Sequence, residues 1–135
     1  MAISKYRDLE VYCEGFDLAV DLHRRTRRFD VEDAGDLRRQ IRRSSKGICA
    51  NIAEGFGRRE STAEFRRFLR IANGSLQETK VWIEFSQALD FLPATEARRF
   101  WKGYDTLGKR LYRLSQTWET YSKGHSSSKG SQSDF

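Results

Sequence analysis

The chain has 135 residues, 25 Lys/Arg against 19 Asp/Glu and a formal net charge of +6, a length that holds one core and excludes two. No run approaches the roughly 18 apolar residues of a membrane span, and no basic start leads into an apolar run, which excludes a membrane-spanning protein and points to the cytoplasm. The basic balance is compatible with a nucleic-acid or other anionic partner without requiring one.

A first helix is expected from Asp8, whose carboxylate can cap the free amides of the first turn, to about Arg27. Leu9, Tyr12, Cys13, Phe16, Val20 and His23 make one apolar stripe, and Val11, Leu18 and Leu22 a second, so more than one neighbour is expected. Gly15 between them would let a neighbouring element come close. Arg24, Arg25, Arg27 and Arg28 gather at the C-terminal end, where cations meet exposed carbonyls.

After a short connection from Phe29 to Asp33, the second helix is expected to start near Asp33 or Ala34. It ends at Gly55-Phe56-Gly57, where a left-handed glycine would close it. Leu37, Ile41, Ile48, Ile52 and Phe56 recur at helical spacing on one face, and Arg38, Arg39, Arg42, Arg43 and Lys46 fall on the other. Ser61-Thr62-Ala63-Glu64 has capping-box spacing and opens the third helix, which runs to about Leu89. Phe65, Phe68, Leu69, Ala72, Leu76, Thr79 and Ile83 share one of its faces, with Trp82, Phe85 and Leu89 displaced toward another.

Pro93, the only proline, suits the first position of a fourth helix, because its missing amide proton would have no partner there. Ala97, Phe100, Tyr104, Leu107, Leu111, Leu114, Trp118 and Tyr121 alternate spacings of three and four, a seam for packing at a shallow angle. Residues 122–135 are rich in Ser, Gly and Lys and are expected to be a disordered tail. The pattern predicts an all-α antiparallel up-down-up-down four-helix bundle over residues 6–121.

Charge is unevenly spread: residues 34–59 hold seven Lys/Arg against two acids, whereas residues 1–33 hold six against eight. Arg38, Arg39, Arg42, Arg43 and Lys46 span about 12 Å of helix, enough to track a few phosphates. Arg58, Arg59, Arg66, Arg67 and Arg70 extend the positive charge around the following turn. This face reads as a nucleic-acid surface or, alternatively, as a solvated face or one that meets an acidic subunit. No aromatic residue lies inside the helix-two arginine cluster, so phosphate contacts with weak sequence preference are expected rather than base stacking.

Signals for catalysis are lacking. Cys13 and Cys49 are far from metal or redox spacing and read as buried reduced thiols. His23 on an apolar stripe reads as a hydrogen-bonded core or interface histidine. Glu-x-x-His pairs, Walker-type loops and Gly-x-Ser-x-Gly turns are absent, so no enzyme, cofactor or metal is expected.

Tyr6-Arg7-Asp8-Leu9-Glu10-Val11, Gln40 to Arg43, the run Asn51-Ile52-Ala53-Glu54-Gly55-Phe56-Gly57-Arg58, and Phe65, Phe68-Leu69, Ile71-Ala72, Gly74-Ser75-Leu76 and Glu78 together carry a resemblance. They resemble the four-helix-bundle family whose founding members are encoded in intervening sequences of bacterial 23S ribosomal RNA genes. The resemblance covers roughly residues 6–92, with the Asn-Ile-Ala-Glu-Gly run its most specific part. It implies a homo-oligomeric ring, a pentamer, with no established biochemical activity. A related bundle is an accessory protein of diversity-generating retroelements, binding nucleic acid and a reverse transcriptase. The resemblance therefore implies an RNA or DNA scaffold, with a protein-interaction or self-assembly module as the alternative.

If the second and third helices are antiparallel about the turn, Glu78 lies opposite Gln40 with Arg39 and Arg43 nearby, and Asn51 lies near Phe68, bonded to backbone. Glu54 would sit beside the start of the third helix, where negative charge favours exposed amides. Asn51, Glu54, Gly55 and Gly57 read as turn-building residues or as direct ligand contacts.

Overall fold

Asp30 and Ser61 set where the two central helices begin. The Asp30 carboxylate accepts the Glu32 amide at 3.0 Å at the head of α2 (Val31–Gly57), and the Ser61 hydroxyl accepts the Glu64 amide at 3.1 Å at the head of α3 (Thr62–Ala88). The computed structural model describes the backbone of residues 3–127 and the side chains of residues 3–118. Among them, α1 (Glu10–Thr26) and α4 (Ala94–Ser127) complete four long helices, and no strand is present.

Several boundaries differ from expectation for local reasons. Asp8 does not cap α1: its carboxylate turns back to the amides of Ser4 at 2.9 Å and Lys5 at 3.1 Å, closing a 3-10 turn over Tyr6–Asp8. Those amides hold its carboxyl below the usual carboxylate range, and α1 starts after Leu9 without a side-chain cap. α2 starts at Val31, two or three residues before the expected Asp33 or Ala34, but Ala34 itself leaves helical geometry (φ −123°, ψ 21°) and kinks the helix after one turn.

Neither Gly55 nor Gly57 adopts a positive φ. α2 instead gives way at Arg58, and the need for glycine at 55 is steric, because Phe68 of α3 packs directly against it. Only half of the capping box at Ser61 forms. The Glu64 carboxylate is drawn to Arg67 at 3.0 Å and Arg58 at 3.6 Å, while the Ser61 amide donates to the Arg58 carbonyl.

The left-handed residue is Asp90 (φ 69°), just past α3. Its amide donates to the Gln87 carbonyl at 3.0 Å and the Phe91 amide to the Ser86 carbonyl at 2.8 Å, the paired bonds of a Schellman closure. Pro93 immediately precedes α4, its carbonyl accepting the Ala97 amide at 2.9 Å. α4 continues to Ser127, past the expected boundary at Tyr121, since an established helix adds residues cheaply once nucleated. The Tyr121 side chain and residues 128–135 of the expected tail lie outside the described residues.

Each helix packs on its sequence neighbours, and α1 closes the ring on α4. Cross-helix pairs run in opposite order at all four interfaces, which makes each antiparallel: Thr26 with Arg42 and Gly15 with Cys49, Arg43 with Glu78 and Gly55 with Phe68, Lys80 with Asp105 and Arg66 with Ser115, Asp21 with Arg99 and Glu14 with Arg110. The bundle is therefore up-down-up-down, with no helix long and apolar enough to cross a membrane among the described residues.

Leu22, Ile41, Ile48, Ile52, Phe65, Leu76, Ile83, Phe100, Tyr104 and Leu107 fill the interior. Each such buried side chain contributes about 1.5–3 kcal/mol before entropy is counted. At the α2–α3 turn, Phe56, Phe65 and Trp118 meet edge-on, with ring centroids 4.8–6.3 Å apart.

α1 turns its second stripe inward. Val11 and Leu22 are buried, with Gly15 and Ala19 between them and Leu18 partly covered, whereas of the first stripe only Leu9 is buried, Cys13 and Phe16 are exposed and Tyr12, Val20 and His23 are partly covered. Gly15 does admit its neighbours: a Cβ there would meet the Cys49 sulfur at 3.3 Å and Leu107 at 3.5 Å.

Candidate nucleic-acid interface

The ten basic residues expected to bind nucleic acid fall into three kinds of environment. Arg39 pairs with Asp36 one turn earlier, and Arg43 reaches Glu78 of α3 at 3.5 Å. Arg58 is held by Glu54 at 3.2 Å and Glu64 at 3.6 Å, and Arg67 grips the same Glu64 through two nitrogens. These four meet carboxylates, so their charge is locally offset, although exposed pairs of this kind are weak.

Arg42, Arg59 and Arg66 bond to neutral acceptors. Arg42 Nε donates to the Thr26 hydroxyl at 2.9 Å, and its terminal nitrogen to the His23 carbonyl at 3.4 Å. Arg59 donates to the Phe56 carbonyl at 2.8 Å and lies over the Phe56 ring at 3.8 Å; Arg66 donates to the Ser115 hydroxyl at 3.1 Å. Arg38, Lys46 and Arg70 have no carboxylate within ion-pair distance among the described residues.

Three of these six form one line. Arg38, Arg42 and Lys46 are four residues apart along α2, on the edge facing the C-terminal half of α1. Arg27, just past the end of α1, adds to the same field. Burial and then the charges of Arg38 and Arg27 lower the Arg42 guanidinium's affinity for its proton. Burial, followed by Arg42, Lys46, Arg27 and Arg38, holds His23 below its ordinary value and so favours the neutral imidazole at neutral pH. His23 also differs from expectation in its bonding: its Nδ1 is buried without a hydrogen-bond partner.

Residues assigned to other tasks by the sequence pattern border this line. Tyr12, Phe16, His23 and Arg24 of α1, Arg27 just past its end and Lys46 of α2 line a groove of about 440 Å3. The signal available in the sequence was the pairing of α1 with α2, which places these residues beside the arginine stripe. Arg24 and Arg27 were expected at the helix end, and Tyr12 and Phe16 in the core.

The motif residues build the α2–α3 contact. Asn51 Nδ2 donates to the Gly47 carbonyl at 2.8 Å, one turn back in its own helix, and a Cβ on Gly47 would lie 3.4 Å from the Ser75 hydroxyl oxygen. Next to it, the Thr79 hydroxyl is 2.8 Å from the Ser44 hydroxyl and 2.9 Å from the Ser75 carbonyl. Glu78, besides pairing with Arg43, accepts the Trp82 indole N–H at 3.3 Å. Glu54 pairs with Arg58 rather than with the free amides of α3. Gly57 has open space around it.

An antiparallel four-helix bundle with a small-residue contact between its central helices and a cationic edge on α1 and α2 defines the class. Within it, the family model described as 23S rRNA-intervening sequence protein matches residues 7–113, and the chain belongs to that family. The match reaches well into α4, which the motif resemblance had not covered. No curated protein matches the chain.

Proposed function

We propose that the protein is a non-enzymatic, homo-oligomeric scaffold of the cytoplasm that binds the backbone of RNA or DNA through the α1–α2 edge. The observation that carries this reading is the line Arg38, Arg42 and Lys46, reinforced by Arg27, with no carboxylate paired to any of its members among the described residues. Polyanion backbones are recognised by such clusters, with affinity that falls steeply with salt. The surface is narrower than the sequence pattern implied, because Arg39, Arg43, Arg58 and Arg67 are occupied by acids.

The test compares Arg38→Glu/Lys46→Glu with Arg39→Glu/Arg43→Glu in a titration of labelled nucleic acid at low salt, with helicity checked for both. The first pair should lose at least about tenfold in affinity and the second much less, since one set of charges is free and the other already paired. Equal binding by wild type and Arg38→Glu/Lys46→Glu would sink the reading.

A second reading, a protein-interaction or self-assembly module, is favoured by Val81, Phe85 and Leu89. They recur every fourth residue along α3 and its C-cap, are all exposed, and have Trp82 beside them with its ring 6.0 Å from that of Phe85. A homopentamer, or an accessory subunit beside a reverse transcriptase, would cover such a stripe. Val81→Glu/Phe85→Glu should lower the assembly mass in solution, and an unchanged mass would remove that support.

A further inference from the structure

The groove between α1 and α2 combines two kinds of recognition that the sequence pattern kept apart. Phe16 is a large apolar side chain left 49% exposed in the middle of a helix. Its ring stacks on that of Tyr12, at 6.0 Å and 30° between planes, and Tyr12 in turn meets Tyr6 edge-on at 4.9 Å. In this aromatic wall the half-exposed Phe16 ring is thereby braced by Tyr12, which is itself only partly covered. Beside this wall stand Arg24, Arg27 and Lys46, and no carboxylate lines the groove.

At about 440 Å3 the groove falls within the roughly 300–1,000 Å3 of small-ligand sites. An aromatic floor with cations at its rim matches how unpaired nucleotides are held: a base stacks on a ring while its phosphate meets Lys or Arg. A duplex cannot use this wall, because its bases are already stacked on one another.

We propose that this groove takes an unpaired nucleotide of a single-stranded nucleic acid, with the base against Phe16 and Tyr12 and the phosphate on Lys46, Arg24 and Arg27. This rests on the polyanion-binding reading above and narrows it to single strands. It also replaces the expectation of contacts to phosphate alone. The Arg38–Arg42–Lys46 line continues the path of the backbone beyond the stacked base.

The full chain and its Phe16→Ala variant would be titrated with a short labelled single strand of mixed sequence, with the matching duplex, and with inorganic polyphosphate. Phe16 is half exposed, so the variant should keep its helicity, and Phe16→Tyr should retain the wild-type behaviour. Phe16→Ala is expected to lose roughly 5- to 100-fold in single-strand affinity, the range for removing one base-stacking ring, with duplex and polyphosphate affinities unchanged. A photocrosslink from the strand to the peptide bearing Tyr12 and Phe16 would support the same placement. An unchanged single-strand affinity in Phe16→Ala would overturn the proposal, as would a duplex binding as tightly as the strand.

If Arg38→Glu/Lys46→Glu abolishes binding while Phe16→Ala leaves it intact, the groove fails and the broader reading stands. No binding by wild type to any of the three probes at low salt overturns both. Displacement of the strand by polyglutamate that is itself weakened by Phe16→Ala would assign the groove to an acidic protein segment. A fall in assembly mass caused by Phe16→Ala would assign it to a subunit contact. Either result overturns the proposal.

Discussion

Gly55 of α2 lies so close to Phe68 of α3 that a Cβ added at position 55 would sit 2.6 Å from the Phe68 Cβ. Both atoms belong to backbone-anchored positions, so relief requires one helix to move away from the other. Gly55→Ala should therefore destabilise the bundle by about 1–3 kcal/mol, outweighing the ~1 kcal/mol that alanine brings to a helix interior. Gly57→Ala is the matched control. Nothing lies within 4 Å of its new methyl group and its φ is not left-handed, so it should gain about 0.5–1 kcal/mol. Chemical denaturation of the two variants checks both signs.

Asp90 holds the left-handed position that closes α3. Asp90→Gly should stabilise by about 0.5–1 kcal/mol, and Asp90→Val should cost about 1–2 kcal/mol, because a branched Cβ clashes at positive φ. Thermal unfolding of the pair would show shifts in opposite directions; shifts of the same sign would refute the assignment.

The two thiols should separate kinetically. Cys49 is buried against α1, and burial with Cys13 nearby pushes its thiol up to about 11, leaving almost no thiolate at mildly alkaline pH. Cys13 is exposed. A thiol reagent is expected to modify one cysteine promptly in the native protein and the second only on unfolding. Cys13→Ser should abolish the prompt phase.

His23 makes stability depend on pH. It is faced by Arg27 just past the end of its own helix and by Arg38, Arg42 and Lys46 on α2, and its folded value lies below the ordinary 6.5. The unfolded chain therefore binds the proton more readily. The contribution is fully present above about pH 6.5 and is lost as pH falls through the lower folded value. Denaturation midpoints should decline in that window for wild type and stay flatter in His23→Gln. The lowered carboxyls of Glu64 and Asp105 act only at more acidic pH, near and below their ordinary values.

Polyanion binding should count its contacts. For a single strand the logarithm of affinity falls by about 0.7 per phosphate neutralised for each logarithmic unit of salt, so Lys46→Ala should shallow the slope by about that amount. Arg39→Ala, already paired with Asp36, should leave it nearly unchanged. A slope indifferent to Lys46 would remove this residue from the interface.

Helical periodicity made the bundle legible, because every long segment has an apolar seam at three- and four-residue spacing, and the seam of α4 from Ala97 to Leu111 is buried as expected. It could not rank the two stripes of α1. Tyr12 and Phe16 look as apolar as Val11 and Leu22, and only the docking of Gly15 on Cys49 and Leu107 decides which stripe turns inward. The basic face was legible as composition but not as free charge. Arg39 with Asp36, Arg58 with Glu54 and Arg67 with Glu64 pair at three- or four-residue spacing, which the sequence does carry. Which arginine Glu78 meets depends on the register between α2 and α3, and it finds Arg43 rather than Arg39. Turn chemistry misled at Gly55, where the demand for a missing side chain comes from the opposite helix and not from backbone dihedrals.

The tether from Arg42 to the Thr26 hydroxyl and the His23 carbonyl has one more consequence. A long flexible cation normally gives up rotamer freedom when an anion fixes it, but this one is already immobilised by α1. An incoming phosphate would meet a guanidinium preset in position. Disturbing the last turn of α1 should therefore weaken anion capture even where no charge is removed.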